Sequence, residues 1–204
     1  MKNQSDVWDR EYSRSEWRKE TRTLPRMLEG KNVLELGVGN GKTLIAIYRQ
    51  HPKSVRAVDF SEKAIEICRE KFAHDDIKFE KMSVLDLKFD DDSFDAVVCY
   101  YVLNNLTESE RKKAVSEIYR VLKKEGIILF EDFAVGDFRF KKNSNIIAEN
   151  TLIKANGITC HFFEDKEIKE LFWEFSKVKM QVIETKPLRG MDYTRKLASA
   201  VIRK

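Results

Sequence analysis

The sequence predicts an α/β fold: a seven-stranded, mostly parallel sheet with helices on both faces and an antiparallel pair of strands at its C-terminal end. Two observations predict it. Through the middle of the chain, short runs of buried-strand character alternate with amphipathic runs of helical period, a pattern typical of βαβ units with parallel strands. Near the end, two strand patterns follow each other without a helical run between them, which favours an antiparallel pair.

The alternating part of the chain is predicted to contain five strands and three helices. Its strands lie at 32–38, 55–60, 77–82, 94–103 and 126–133. Its helices lie at 42–50, 61–72 and 107–123. The last of these helices opens with a capping box, because Thr107 is followed three residues later by Glu110.

Beyond about residue 135 the alternation stops. Residues 144–156 have an ambiguous pattern, residues 158–163 are compatible with an extended segment, and residues 165–175 are helical. The closing strand pair is predicted at 178–185 and 197–203.

Composition limits the class of protein. The chain has 204 residues, of which 42% are hydrophobic and 35% charged, so one packed domain over residues 1–204 is expected. No apolar run approaches the roughly 20 residues of a membrane-spanning helix, and the polar N-terminal segment predicts no secretory signal. Three cysteines without CxxC spacing predict buried, reduced thiols in a cytoplasmic protein.

The charge distribution is mildly informative. A formal net charge of +4 is too small to diagnose a nucleic-acid binder. The excess of Lys and Arg over Asp and Glu lies in the last third of the chain, after residue 136. It is compatible with a solvated basic surface or with a face for an anionic substrate.

A glycine-rich turn between a strand and a helix is the strongest motif. The segment 33–44 reads VLELGVGNGKTL. The spacing is not GxGxxG, because position 42 is Lys and not glycine, and it is not that of a Walker A loop. Glu35 precedes the turn, and a carboxylate there suits a ligand that carries an amine better than a pyrophosphate. About twenty residues later, Asp59 ends the second strand, where an acid can accept both hydroxyls of a ribose. Together these features suit S-adenosylmethionine better than NAD.

On these motifs, residues 31–133 resemble the class I S-adenosylmethionine-dependent methyltransferases, which have a Rossmann-like fold. The resemblance implies that the methionine end of the cofactor lies on the glycine turn, the ribose on Asp59 and the adenine beside Phe60, Ser83 and Val84. Ser83 departs from the Asp common in the family. The residues predicted to contact the cofactor are Trp8, Tyr12, Glu35, Gly37, Gly39, Asn40, Gly41, Asp59, Phe60, Ser83, Val84, Cys99 and Tyr100.

The chain is accordingly divided into an N-terminal helical cap (1–30), a cofactor-binding half (31–135) and a substrate-side half (136–204). In the last part, the RFK element at residues 139–141, the Glu149-Asn150 pair and the HFF run at residues 161–163 resemble the tRNA 3-methylcytidine methyltransferases. The resemblance implies tRNA as the partner and methylation at cytidine N3, with Arg139, Lys141 and Lys142 as phosphate contacts.

Three residues are predicted to position the substrate: Asp132, Asn104 and Tyr101. Asp132 ends the fifth strand and is expected to accept from the amino group of the base, or else to cap the next segment. Asn104 and its neighbour Asn105 follow the fourth strand, and either is expected to contact substrate, or else the pair forms a helix-entry turn. The acidic run at 90–95 is expected to be a solvated turn, so no metal ion is predicted. Because no apolar run is long enough to span a membrane, no membrane partner is predicted either.

Two alternatives to tRNA methylation remain at this point. A small-molecule methyltransferase of the same fold would use the same cofactor site on a metabolite. A non-catalytic module that binds S-adenosylmethionine or S-adenosylhomocysteine is the third class, and it is disfavoured because both ends of the cofactor site are present.

Overall fold

A computed structural model describes residues 4–14, 23–73, 76–140, 145–185 and 194–204. Its strands are β1 (Asn32–Leu36), β2 (Ser54–Asp59), β3 (Ile77–Lys81), β4 (Phe94–Tyr100), β5 (Leu122–Phe133), β6 (Asn145–Ala148), β7 (Thr151–Ile153), β8 (Thr159–His161), β9 (Lys177–Thr185) and β10 (Arg195–Arg203). Its helices are α1 (Gln4–Arg14), α2 (Lys42–Tyr48), α3 (Glu62–Lys71), α4 (Glu108–Val121) and α5 (Asp165–Leu171), with a short 3₁₀ turn at Leu103–Asn105. None of the helices in these ranges has the length and apolar character needed to cross a membrane.

The central sheet has seven strands in the order β3-β2-β1-β4-β5-β10-β9. The first five strands of this order pair in parallel, and β10 pairs antiparallel with both β5 and β9. The predicted fold class is therefore confirmed, including the antiparallel C-terminal pair. The chain order reverses between β1 and β4, which places a crevice at the carboxyl ends of these two neighbouring strands.

Both faces of the central sheet are covered, as the apolar strands require. Successive residues of β1 face opposite ways: Leu34 packs into a core with α4 and α5, whereas Val33 packs into a second core with α2 and α3. The same division holds along β4 for Val97 and Ala96. Two buried layers thus fix the register of each central strand, and the carboxyl ends of the strands are held rigidly at one edge.

A second, three-stranded antiparallel sheet in the order β6-β7-β8 occupies the region of ambiguous pattern. Its strands have three or four residues, too few to show a clear periodicity. A parallel bridge between Ala134 and Phe163 joins this small sheet to the end of β5, where the Phe163 amide donates to the carbonyl of Phe133 at 2.8 Å.

Two strand boundaries differ from the prediction by three residues or more. The fourth strand ends at Tyr100 rather than at residue 103, because Tyr101 has φ 59° and turns the chain into the 3₁₀ turn. The fifth strand begins at Leu122, opposite Phe94, and a register shift then brings Ile127 opposite Ala96.

The predicted capping box of α4 is present. The Glu110 amide donates to Oγ1 of Thr107 at 3.4 Å, and the Thr107 amide donates to Oε2 of Glu110 at 2.8 Å. Because both bonds use amides that the helix itself leaves without an acceptor, we expect Thr107→Ala to lower the free energy of unfolding by about 1 kcal/mol. Urea denaturation followed by circular dichroism measures it. Ser116→Ala, at an exposed position of the same helix, is the control and should not lower stability; equal losses in both variants would contradict a specific cap.

Candidate functional site

A cavity of about 220 Å³ opens at the carboxyl ends of β1, β2 and β4, on the side covered by α1. We call it the strand-edge cavity. Of the residues predicted to contact cofactor or substrate, those that line it are Trp8, Tyr12, Gly37, Asp59, Phe60, Ser83, Val84 and Tyr101. Eight residues from separate segments, chosen from sequence alone, therefore converge on one small space.

The glycine turn forms the floor of this region through backbone geometry. Gly37 and Gly39 have φ of 64° and 54°, values that side chains other than glycine rarely adopt. Space is a second reason: a Cβ on Gly37 would lie 2.7 Å from Cγ2 of Val102, and one on Gly39 would lie 2.8 Å from the Tyr12 hydroxyl. Glycine at these positions lets neighbouring side chains approach the turn closely.

Helix α3 holds the same turn from behind. The Cys68 thiol donates to the carbonyl of Gly39 at 3.3 Å, and the Lys71 ammonium donates to the carbonyl of Asn40 at 3.0 Å. Burial and the nearby Glu35 carboxylate raise the pKa of the Cys68 thiol above its usual value, so the thiol stays protonated and can act as a donor.

Asp59 connects the turn to the next helix. One carboxylate oxygen accepts from the Gly39 amide and the other from the Ser61 amide, each at 2.9 Å. The side chain is 3% exposed. Burial raises its pKa from 3.8 to about 6, and the amides of Ser61 and Gly39 oppose this rise. Asp59 is therefore mostly ionised at neutral pH and becomes protonated in mild acid.

Helix α1 closes one side of the cavity. Its Trp8 and Tyr12 rings stack at 5.6 Å, and both line the space. Asp9 fixes the helix to the start of α3, because it accepts from the Ser61 hydroxyl and from the Lys63 amide. Of the predicted N-terminal helical cap, residues 4–14 are helical, whereas residues 23–30 form turns and irregular backbone; residues 1–3 and 15–22 lie outside the described ranges.

The segment after β3 forms another wall. Val84 is half-buried, and Ser83 is exposed with its hydroxyl accepting from the Leu85 amide at 3.2 Å. Met82 and Leu85 also line the cavity, so four consecutive residues contribute where the sequence indicated two.

Several predicted cofactor residues are not among those that line the cavity. Glu35 is 2% exposed and Cys99 is fully buried inside β4. Tyr100 is also buried, and neither it nor the Asn40–Gly41 end of the turn reaches the lining. Their predicted contacts with cofactor remain predictions.

Asp132 and Asn104 form a buried pair away from the lining. Asp132 is fully buried, and its carboxylate accepts from the Asn104 and Phe133 amides at 3.0 Å. The carboxamide oxygen of Asn104 accepts no hydrogen bond within the described part of the chain. Asp132 thus binds the 3₁₀ turn. Of the two asparagines considered as substrate contacts, Asn105 lines the cavity and Asn104 does not.

The predicted phosphate contacts divide in two. Arg139 donates to both carboxylate oxygens of the buried Asp137, at 2.8 and 3.1 Å, and its guanidinium lies 4.7 Å from the centre of the Phe133 ring. Its charge is thus directed into the protein. Lys141 and Lys142 lie outside the described residues.

Other lining residues escaped the sequence reasoning. They are Gln4, Val102, Leu106 and Glu110. Asn105, the second of the two asparagines considered as substrate contacts, also lines the cavity. Glu110 was recognised only as part of the helix cap, and the others carry no sequence signal of their own.

A larger open groove of about 800 Å³ runs between α4, α5 and the small sheet. Glutamates such as Glu149, Glu170 and Glu174 line it, and it contains none of the predicted site residues. Its acidic lining is a poor surface for an anionic substrate. Within the described ranges, no three His, Cys, Asp or Glu side chains are arranged to hold a metal ion.

Comparison with known proteins identifies methyltransferases in each case. Residues 33–126 match the family described as a methyltransferase domain. The chain is 32% identical over 161 residues to a tRNA N(3)-methylcytidine methyltransferase of Schizosaccharomyces pombe, covering 72% of this chain and 52% of that protein. It is 37% identical over 119 residues to a demethylmenaquinone methyltransferase of Clavibacter sepedonicus, covering 58% of this chain and 47% of that protein. The chain therefore spans about half the length of these relatives.

A solved structure supports the fold. The SAM-dependent methyltransferase from Methanosarcina mazei aligns with a TM-score of 0.72 at 20% identity, covering 90% of this chain and 99% of that one.

The raised pKa of Asp59 leads to a prediction about ligand binding. If the ionised carboxylate accepts from ribose hydroxyls, S-adenosylhomocysteine should bind more tightly as pH rises from 5 to 7, with a midpoint near 6. Calorimetric titration across this range measures the affinity. Asp59→Asn should bind weakly and without this pH dependence, whereas Asp86→Asn, at an exposed position, should behave like the parent; a flat profile in the parent would contradict the assignment.

The buried Asp132 predicts a pH-dependent stability. Burial raises its pKa from 3.8 to about 8, so the folded state holds a proton that the unfolded state releases above pH 4. The contribution of this group to stability is therefore complete below pH 4 and is lost as pH rises through 8. We expect the free energy of unfolding of Asp132→Asn to decline less than that of the parent between pH 6 and 9. Guanidinium denaturation at each pH tests this, and parallel declines would argue against a protonated Asp132.

Proposed function

This chain belongs to the S-adenosylmethionine-dependent methyltransferases through its methyltransferase domain at residues 33–126, and we propose that it methylates N3 of a cytidine in tRNA. The observation that carries the choice of substrate is the extent of the similarity. The alignment with the S. pombe tRNA enzyme covers 72% of the chain, more than the domain match alone. The similarity therefore extends beyond residues 33–126 and includes part of the substrate-side half, residues 136–204.

Further relatives support the same choice. A tRNA N(3)-cytidine methyltransferase from mouse is 29% identical over 73% of this chain. The resemblance in the small-sheet region, including Glu149-Asn150 and the run from His161 to Phe163, lies in the part that we assign to the substrate.

The strand-edge cavity has the features that the cofactor requires. Asp59 presents an ionisable carboxylate whose oxygens each accept one backbone amide, and a carboxylate oxygen can accept further bonds from ribose hydroxyls. Gly37 lines the cavity without a side chain, so the methionine end can approach the backbone of the turn there. Phe60 and Val84 offer apolar contact for adenine, and the Trp8 and Tyr12 faces suit a sulfonium cation.

The proposed reaction does not need a strong general acid or base. S-adenosylmethionine supplies a methyl group on a positively charged sulfur. The N3 lone pair of cytosine forms the new N–C bond as the C–S bond breaks, so the positive charge moves to the base and no proton has to be removed first. The protein contributes by holding the base in line with that bond and by stabilising the charge.

A metabolite methyltransferase is the second candidate. The demethylmenaquinone enzyme of C. sepedonicus, at 37% identity, favours it. That alignment covers 58% of this chain, less than the alignments with the tRNA enzymes. A tRNA substrate would place the reaction in the cell interior, and the cytoplasm is the compartment we propose.

Methyl transfer from labelled S-adenosylmethionine tests the proposal. With total tRNA as acceptor, we expect label in 3-methylcytidine after digestion to nucleosides and chromatography. Asp59→Ala should lose at least about 10-fold in activity at limiting cofactor, because one charge-assisted hydrogen bond is worth roughly 1.5–3 kcal/mol.

Asp86→Ala is the matched control and should retain the activity of the parent. Label that enters a small-molecule extract and not tRNA would favour the second candidate. Label in neither acceptor would contradict both.

A further inference from the structure

The end of β5 presents two acidic residues on opposite faces of the sheet. Asp132 is directed into the interior, where it is fully buried and binds the Asn104 amide. Glu131, one residue earlier, is half-buried and meets the side chain of Tyr101. Because alternate residues of a strand face opposite ways, Glu131 rather than Asp132 reaches a residue that lines the strand-edge cavity.

Tyr101 has an unusual backbone that its neighbours hold in place. Its φ is 59°, a conformation that is a genuine outlier for a bulky residue. Its amide donates to the carbonyl of Glu131 at 2.8 Å, and its carbonyl accepts from the carboxamide nitrogen of Asn105 at 3.0 Å. Strained residues of this kind persist where the surroundings determine them and cluster at functional sites.

The phenol of Tyr101 is held as firmly as its backbone. Its hydroxyl donates to Oε1 of Glu131 at 2.6 Å and accepts from Nη2 of Arg195 at 3.0 Å. The ring packs against Phe133, with centres 5.1 Å apart. Backbone, hydroxyl and ring face are thus all fixed, and the ring stands as a rigid wall between the cavity and the end of β5.

We infer that Glu131 and Arg195 are positioning residues, which hold the Tyr101 ring as the surface against which the acceptor base is aligned. The inference rests on the proposed function and extends it to three residues. An aligned ring restricts the base to the line of the breaking bond, and its π face favours the positive charge that the base acquires. Asp132 occupies the opposite face of β5, where it binds the Asn104 amide.

Four variants test this assignment in the full chain with tRNA as acceptor. Tyr101→Phe keeps the ring and removes the hydroxyl, and Glu131→Ala removes its acceptor. Each should lower kcat by roughly 10-fold or more, because small misplacements at a reacting centre have large effects. Glu131→Gln retains an oxygen that can accept from the phenol and should recover most of the loss. Glu80→Ala is the control. It breaks the 2.7 Å ion pair between Glu80 on the outer strand β3 and Arg56 on β2, and it should have the kcat of the parent.

Two further measurements separate positioning from folding. S-adenosylhomocysteine affinity and the melting temperature should stay close to those of the parent in Tyr101→Phe and in Glu131→Gln. If the parent methylates tRNA and Tyr101→Phe and Glu131→Ala keep its kcat, the inference is wrong and the proposed function stands. If the parent methylates no tRNA, the proposed function fails and this inference fails with it.

Discussion

The cofactor side of the molecule depends on the hydrogen bonds that the Asp59 carboxylate accepts. This carboxylate binds the Gly39 amide in the glycine turn and the Ser61 amide at the start of α3. Ser61 in turn caps α3 through the Ala64 amide and donates to Asp9 of α1. One buried acid thus ties together strand, turn and two helices, and the positions of the cavity walls follow from it.

Two buried acids at the same sheet edge differ because their surroundings differ. Asp59 lies on the cavity with a pKa of about 6, so it is mostly ionised at neutral pH and able to accept from hydroxyl groups. Asp132 lies away from the cavity lining with a pKa of about 8, so it is mostly neutral at the same pH. Residue type and strand position do not distinguish them. Both are buried, but more backbone amides lower the pKa of Asp59 than that of Asp132.

Most of the cofactor half was predictable because its signals are local. The apolar strands, the glycine turn and the capping box at Thr107 each depend on neighbouring residues, and the structure has all three. The contacts of Asp132 with the 3₁₀ turn and of Glu131 with Tyr101 were not predictable, because they depend on which face of β5 each side chain occupies. The small sheet was not predictable either, because its strands are too short to show a pattern. Its strands pair with one another, and the bridge between Ala134 and Phe163 attaches the segment to the end of β5.

The bridge between Ala134 and Phe163 also limits how the protein can evolve. Through it, the small sheet is hydrogen-bonded to the last residues of β5, next to Phe133 and the Tyr101 ring that packs on it. An insertion or deletion that shifted Phe163 would move that ring as well. Drift in the small sheet is therefore coupled to the Tyr101 side of the cavity. The same region also contacts α1, because Asn156 donates to Glu11 at 3.1 Å. Changes in this segment thus reach the helix that carries Trp8 and Tyr12 as well.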